Sequence, residues 1–266
     1  MAPADVRVRS DEPETEPKVG LLGDIVDELR WTYNGRRRWL LSMAGNLVLA
    51  LVVVGYSDYD PHAAGDFKIA YVGIAVVLYV LAGTITTNQL GADANRVLAS
   101  VEADDSVGRI LAIKNLALVA LLVPVALLVS VIFRILVDRW RLFTHTAMYD
   151  VGAVFVWLAL GDLVSVLLPY RPIRLRARVK ARKTWKRWAV RQAVPYALYY
   201  LGGPVLVLLP FTILSYLKVF GPARMVGYPA VFLVNAVAGW LLGLWLADVY
   251  AKRHRARFLT ELRREE

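Results

Sequence analysis

Carboxylates are the first residues in this chain whose placement could do chemistry. Asp93, Glu102, Asp104 and Asp105 fall within one polar connection, Asn88–Asn115. Acids at helical spacing near a membrane surface can hold a divalent metal against a diphosphate, the chemistry of a membrane-embedded lipid or prenyl transferase. That chemistry needs two carboxylate clusters. Asp93 has Val97 rather than an acid at i+4, and no second aspartate-rich loop follows. Asp162 is a different case: a lone acid in an otherwise apolar run, eight residues before Tyr170. At 1.5 Å per helical residue it sits about 12 Å from that end, and an ionisable group in lipid is a functional candidate. Its structural alternatives are protonation or pairing with a neighbouring Asn or Arg. Cysteine is absent, and His62, His145 and His254 are far apart. There is no Walker A, GxSxG or HExxH pattern. The chain is therefore expected to carry no catalytic residue, metal or cofactor of its own.

The elements that must position these residues are apolar. Trp39–Tyr56, Ile69–Ala92, Asn115–Phe133, Val151–Tyr170, Gln192–Leu217 and Met225–Ala247 are each near or above the roughly 20 residues that cross a bilayer as a helix. In lipid the backbone must satisfy its own hydrogen bonds, so these runs are read as helices. The expected fold is an all-α, polytopic membrane protein with six transmembrane helices. The spans are placed at about 39–56, 69–90, 114–134, 150–170, 193–218 and 225–249. Six spans take up about half of 266 residues, which leaves no room for a soluble catalytic domain. The net charge of +10 sits beside the spans, where lipid headgroups account for it better than nucleic acid does.

Orientation follows from lysine and arginine at span ends. Arg36-Arg37-Arg38 precedes the first span, whereas Tyr56–Lys68 after it carries three aspartates and one lysine. The fourth connection, Arg171–Arg191, holds ten Lys/Arg and no acid, and the segment after the sixth span begins AKRHRAR. With six spans these basic segments share one side, so both termini are expected to be cytoplasmic. Arg134, Arg139 and Arg141 dissent mildly on the expected outer side. Within the basic connection, Arg174, Arg176, Arg178, Lys180, Arg182 and Lys183 are expected to meet lipid headgroups. Residues 1–20 lack an apolar signal core and read as a flexible cytoplasmic tail, with the first span as an uncleaved anchor. Residues 256–266 read as a second tail.

Two further segments look ordered. Leu21–Tyr33 places Leu21, Leu22, Ile25, Val26, Leu29 and Tyr33 on one helical face, and Asp24, Asp27, Glu28 and Arg30 on the other. This is an amphipathic helix for the inner interface, with a net acidic polar face that favours contact with protein. In Asn88–Asn115, two short helices are expected to meet near Ala103–Ser106, with Ser106 as N-cap of the second. Pro124, Pro204 and Pro210 suggest kinks, and Gly239…Gly243 has the small-xxx-small spacing that lets helices approach closely.

Two stretches carry a family resemblance. Asn88-Gln89-Leu90-Gly91-Ala92-Asp93, followed by Ile110-Leu111-Ala112-Ile113-Lys114-Asn115-Leu116-Ala117, resembles the N-Q-x-G-x-D and L-x-x-K-N-L-A stretches of membrane permease subunits of bacterial ABC-type exporters. Gly161-Asp162-Leu163-Val164-Ser165, leading to Pro169 and Arg171, resembles their G-N-x-x-S-x-x-x-P-x-R exit from the fourth span, with Asp162 where the pattern has Asn.

The resemblance implies a permease in the bacterial cytoplasmic membrane, paired with a second permease subunit and powered by a separate cytosolic ATP-binding subunit. It implies that the connection between spans two and three is a cytoplasmic coupling loop. By position, Val97, Leu98, Val101, Glu102, Asp104, Asp105 and Arg109 would meet the ATPase. A membrane transferase, or a scaffold that recruits lipid or a partner through its basic connection, are the alternatives.

Overall fold

A computed structural model describes residues 20–35, 88–137, 143–169 and 224–263, with isolated positions 48, 140, 190, 193–194 and 197. Apart from those positions, the tail before residue 20, the expected first and fifth spans, residues 69–87 of the expected second and the basic connection with Arg174, Arg176, Arg178, Lys180, Arg182 and Lys183 lie outside the described residues. Every described element is a helix: α1 (Leu21–Gly35), α2 (Gln89–Ala92), α3 (Ala94–Glu102), α4 (Val107–Val137), α5 (Phe143–Leu167), α6 (Arg224–Arg253) and α7 (Arg255–Arg263). Three stretches are long and apolar enough to cross a membrane: Val107–Ile132, Phe143–Leu167 and Val226–Arg253. They overlap most of the runs read as spans three, four and six.

The connection before α4 differs from expectation. Its first half is helical, as α2 and α3. Its second half is not a separate short helix but the opening turns of α4, which runs unbroken into the apolar stretch. Ile110 through Ala117 holds good helix formers and no breaker, so nothing stops propagation from the cap. Ser106 is that cap: its Oγ accepts from the backbone N–H of Arg109 at 3.2 Å.

The turn between α3 and α4 closes in a Schellman arrangement. Asp105 N–H donates to Ser100 O at 3.0 Å and Asp104 N–H to Val101 O at 3.3 Å. Asp104 takes the left-handed conformation that this closure requires, with φ 69°. Aspartate is among the few non-glycine residues that tolerate it. The result is a hairpin in which α3 returns against the base of α4.

The three long helices pack together, α5 against both α4 and α6. Along α6 the buried positions are Ala236, Trp240, Gly243, Ala247 and Ala251, steps of three or four that make one face. At Gly243 a Cβ would fall 3.0 Å from Ala159 O and 3.2 Å from Ala159 Cα, so the α5–α6 crossing needs glycine there. Gly239 has open space around it. The small-residue spacing seen in the sequence is thus used at one of its two glycines. Val234, Leu241, Leu242 and Trp245 on the opposite side of α6 are exposed.

Two apolar clusters result. Leu118, Leu122, Ala126, Val154, Trp157, Leu158 and Trp240 fill the middle of the three long helices. Leu90, Val97, Leu98, Val101, Val107 and Leu111 form the other, where the hairpin meets Ala247, Ala251, Phe258 and Leu262. The last two belong to α7. The segment read as a tail is therefore helical through Arg263 and packs on α3. Phe258 and Leu262, four residues apart, supply the apolar face that a solvated tail would lack.

Candidate functional site

The quoted motif residues converge where the hairpin enters the long helices. Gln89 lies at the start of α2, Asn115 two turns into α4, and Asp162 and Ser165 on one face of α5. Gln89 N–H donates to Ser165 Oγ at 2.9 Å, and Gln89 Nε2 to Asn115 Oδ1 at 2.7 Å. Asn115 Nδ2 then reaches both Asp162 carboxylate oxygens at 2.9 Å. All four side chains are buried; Asn115, Asp162 and Ser165 have no exposed surface. A polar relay buried this deeply is favourable only with its partners in place. Asp162 thus meets an Asn, one of the partners left open by the sequence, contributed by α4.

A second, ionic network lies one residue earlier on α4. Lys114 Nζ donates to Asp93 Oδ2 at 2.6 Å and to Glu28 Oε1 at 2.7 Å. Arg96 binds the other Glu28 oxygen at 2.6 Å. Lys114 and Arg96 both lie over the Trp31 ring, 5.5 Å and 5.4 Å from its centroid. Further out, Arg109 bridges Asp24 at 2.8 Å and Asp105 at 3.0 Å. Asp24, Glu28, Arg96, Asp105, Arg109 and Lys114 line a cavity of about 190 Å³ between α1, α3 and α4.

The acidic face of α1 therefore meets protein, as its charge suggested. Glu28 is buried, whereas Leu21, Leu22 and Val26 face outward. On the other flank Asp248 of α6 caps α4. Its Oδ1 accepts from Gly108 N–H at 2.9 Å, within the first turn where a carboxylate complements the helix dipole. Lys252 holds the same carboxylate at 2.5 Å. A Cβ at residue 108 would lie 2.9 Å from the Asp248 side chain, so only glycine admits this approach.

The expected coupling residues divide into two groups. Val97, Leu98 and Val101 are buried inside the chain's own hairpin cluster and do not face outward. The correction has a simple cause: α7, read as a tail, folds over that side of α3. Arg255 donates to Val101 O at 3.2 Å and Arg263 pairs with Glu102 at 2.9 Å. Glu102, Asp104 and Arg109 are exposed and Asp105 partly so, at the turn of the hairpin.

Asp162 is not the only buried acid in a long helix. Asp150 is fully buried on α5, hydrogen-bonded by the Ser130 hydroxyl of α4 and within the field of Arg134, itself without exposed surface. In the sequence this centre is hidden, because the uncharged apolar run starts at Val151. The helix begins at Phe143, two turns earlier, and takes Asp150 inside. Arg134, a charge at odds with the expected outer side, is likewise inside the packing. The two described imidazoles do not converge: His145 packs edge-on against Tyr149 of α5, and His254, just past α6, stacks on Tyr250. Among the described residues no group of three His, Asp or Glu side chains is placed to hold a metal ion.

No protein-family model matches the chain, and neither the curated proteins nor the solved structures contain a match to it.

Proposed function

We propose that this chain is the permease subunit of an ATP-driven exporter, with six membrane crossings and both termini in the cytoplasm. In this reading it dimerises to form the substrate pathway, and the α3–α4 hairpin couples it to a separate cytosolic ATPase. One observation carries the reading. The hairpin is fastened to two membrane-length helices by the buried Gln89–Asn115–Asp162 relay and the Lys114–Asp93 pair, while its turn is left exposed. A force applied at Glu102–Asp105 would pass into α4 and α5 without deforming the hairpin itself. An element that only joined two spans would not need so costly a polar anchorage.

The transferase alternative needs carboxylates available to a metal. Here Asp93 binds Lys114, Asp105 binds Arg109 and Glu102 binds Arg263.

Mild-detergent purification of the tagged chain, with identification of what co-purifies, tests the proposal. An ATP-binding subunit is expected, and it should be lost when Glu102 and Asp105 are both changed to Lys. Recovery of no such subunit across several detergents would overturn the coupling reading. Because the chain has no cysteine, Ala103→Cys gives a unique thiol for topology. It should react with an impermeant reagent only after the cytoplasmic face is opened.

A further inference from the structure

We propose that the amino-terminal half of α1 is an ionic latch on the hairpin–α4 junction, closed at low ionic strength and released as ionic strength rises. The proposal is independent of the transport reading, because it concerns only how α1, α3 and α4 hold one another.

The ion pairs that hold α1 differ sharply in shielding. At its carboxyl-terminal half, Glu28 binds Lys114 with both side chains only 7% exposed, and Lys114 is further fixed by Asp93. At its amino-terminal half the holding pair is Asp24 with Arg109, 26% and 47% exposed. Salt screens the second far more than the first: the Debye length shrinks from about 10 Å at 0.1 M to about 3 Å at 1 M, and buried pairs are least affected. Arg109 also has an alternative partner in Asp105, one turn earlier in the chain at 3.0 Å, so it need not stay with Asp24.

Apolar packing does not replace the ionic hold. Leu21, Leu22 and Val26 in the same half are exposed, and only Ile25 among its apolar side chains is half-buried. Beneath α1 lies the cavity of about 190 Å³, with Ser100, Asp105 and Arg109 among its walls beside the apolar Val97, Ile110 and Ile113. Among the described residues the amino-terminal half thus rests over this cavity on one partly exposed ion pair, hinged at a buried one. Lifting it uncovers the cavity and frees Arg109 at the hairpin turn.

The test uses the full chain in lipid nanodiscs. Ser100→Cys places a single thiol in the cavity wall, and Ala103→Cys supplies a reference thiol at the exposed turn. Modification by a water-soluble maleimide is followed from about 50 mM to about 500 mM potassium chloride, a range that shortens the Debye length about threefold. The rate at residue 100, relative to residue 103, is expected to rise about tenfold with salt. Adding Asp24→Asn, a near-isosteric change at a partly exposed site, should give the fast rate at every salt concentration. Asp27→Asn, which removes only the pair with Arg30 inside α1, should leave the salt dependence in place. A relative rate that stays within twofold across the salt range overturns the proposal. So does a salt response unchanged by Asp24→Asn. Neither outcome bears on whether an ATPase binds the chain.

Discussion

The Asp162 carboxyl group is held by Asn115 of α4, and the Lys114 ammonium group by Glu28 of α1 and by Asp93 between α2 and α3. Asn115→Leu leaves Asp162 and Gln89 each short of a buried partner. It is expected to cost about 2–3 kcal/mol of stability, read as a lower thermal midpoint in detergent. Asp162→Asn keeps an acceptor for Asn115 Nδ2 and is expected to change stability by about 1 kcal/mol or less, so the two substitutions should separate clearly. Lys114→Met leaves two buried carboxylates facing each other's field and is expected to cost about 3–5 kcal/mol. The opposite sign is expected at Asp104. Glycine relieves the left-handed backbone there, and Asp104→Gly should stabilise by about 1 kcal/mol, whereas Asp104→Val should destabilise. The types of these residues were legible in the sequence, but their pairing was not. Which side of α5 meets which side of α4 is fixed by helix rotation and crossing, and Asn115 and Asp162 are 47 positions apart. Asp150 was hidden for a different reason: an apolar run marks the lipid-length core of a helix and says nothing of the turns before it.

At the scale of elements, the apolar runs marked the three long helices well, because a period-free stretch of this length has few other uses. The short elements were less legible. The α1 amphipathicity was plain, and its acidic side correctly suggested contact with protein. The continuity of α4 from the hairpin turn was not plain, since polar residues such as Arg109 and Lys114 look like loop until tertiary partners absorb them. Close approach of α5 and α6 rests on Gly243, and Gly243→Leu is expected to prise that crossing apart. Gly239→Leu, with open space around it, should be tolerated. Parallel thermal-unfolding and cross-linking measurements on the two variants check this contrast. The α7 helix holds α3 mainly through Phe258 and Leu262. Phe258→Ala is expected to cost about 3 kcal/mol locally and to make the chain after Arg253 sensitive to limited proteolysis while the long helices persist.

For the whole molecule, one end of the helical assembly is polar, crowded and tied to three separate segments, and the middle is apolar. Asp150, Ser130 and Arg134 form a second polar station beyond it. From Asp162 to Asp150 is twelve residues along α5, about 18 Å. Charge patterns can suggest which ends share a side, but they cannot reveal that residues 28, 93, 114 and 162 meet at one of them. Tertiary folding alone brings those positions together.

The unbroken α4 helix has a mechanical consequence. At 31 residues it is a rod about 46 Å long, built into the hairpin at one end and into the Ser130–Asp150 contact near the other. Such a rod acts as a see-saw. A tilt of about 10° around its midpoint would carry each tip roughly 4 Å, more than a hydrogen bond can stretch. Pro124 stands just past that midpoint, and its missing N–H leaves the Ala120 carbonyl without a helical donor. The rod therefore carries a weak rung close to its own midpoint, and replacing that proline with alanine should stiffen it against bending there.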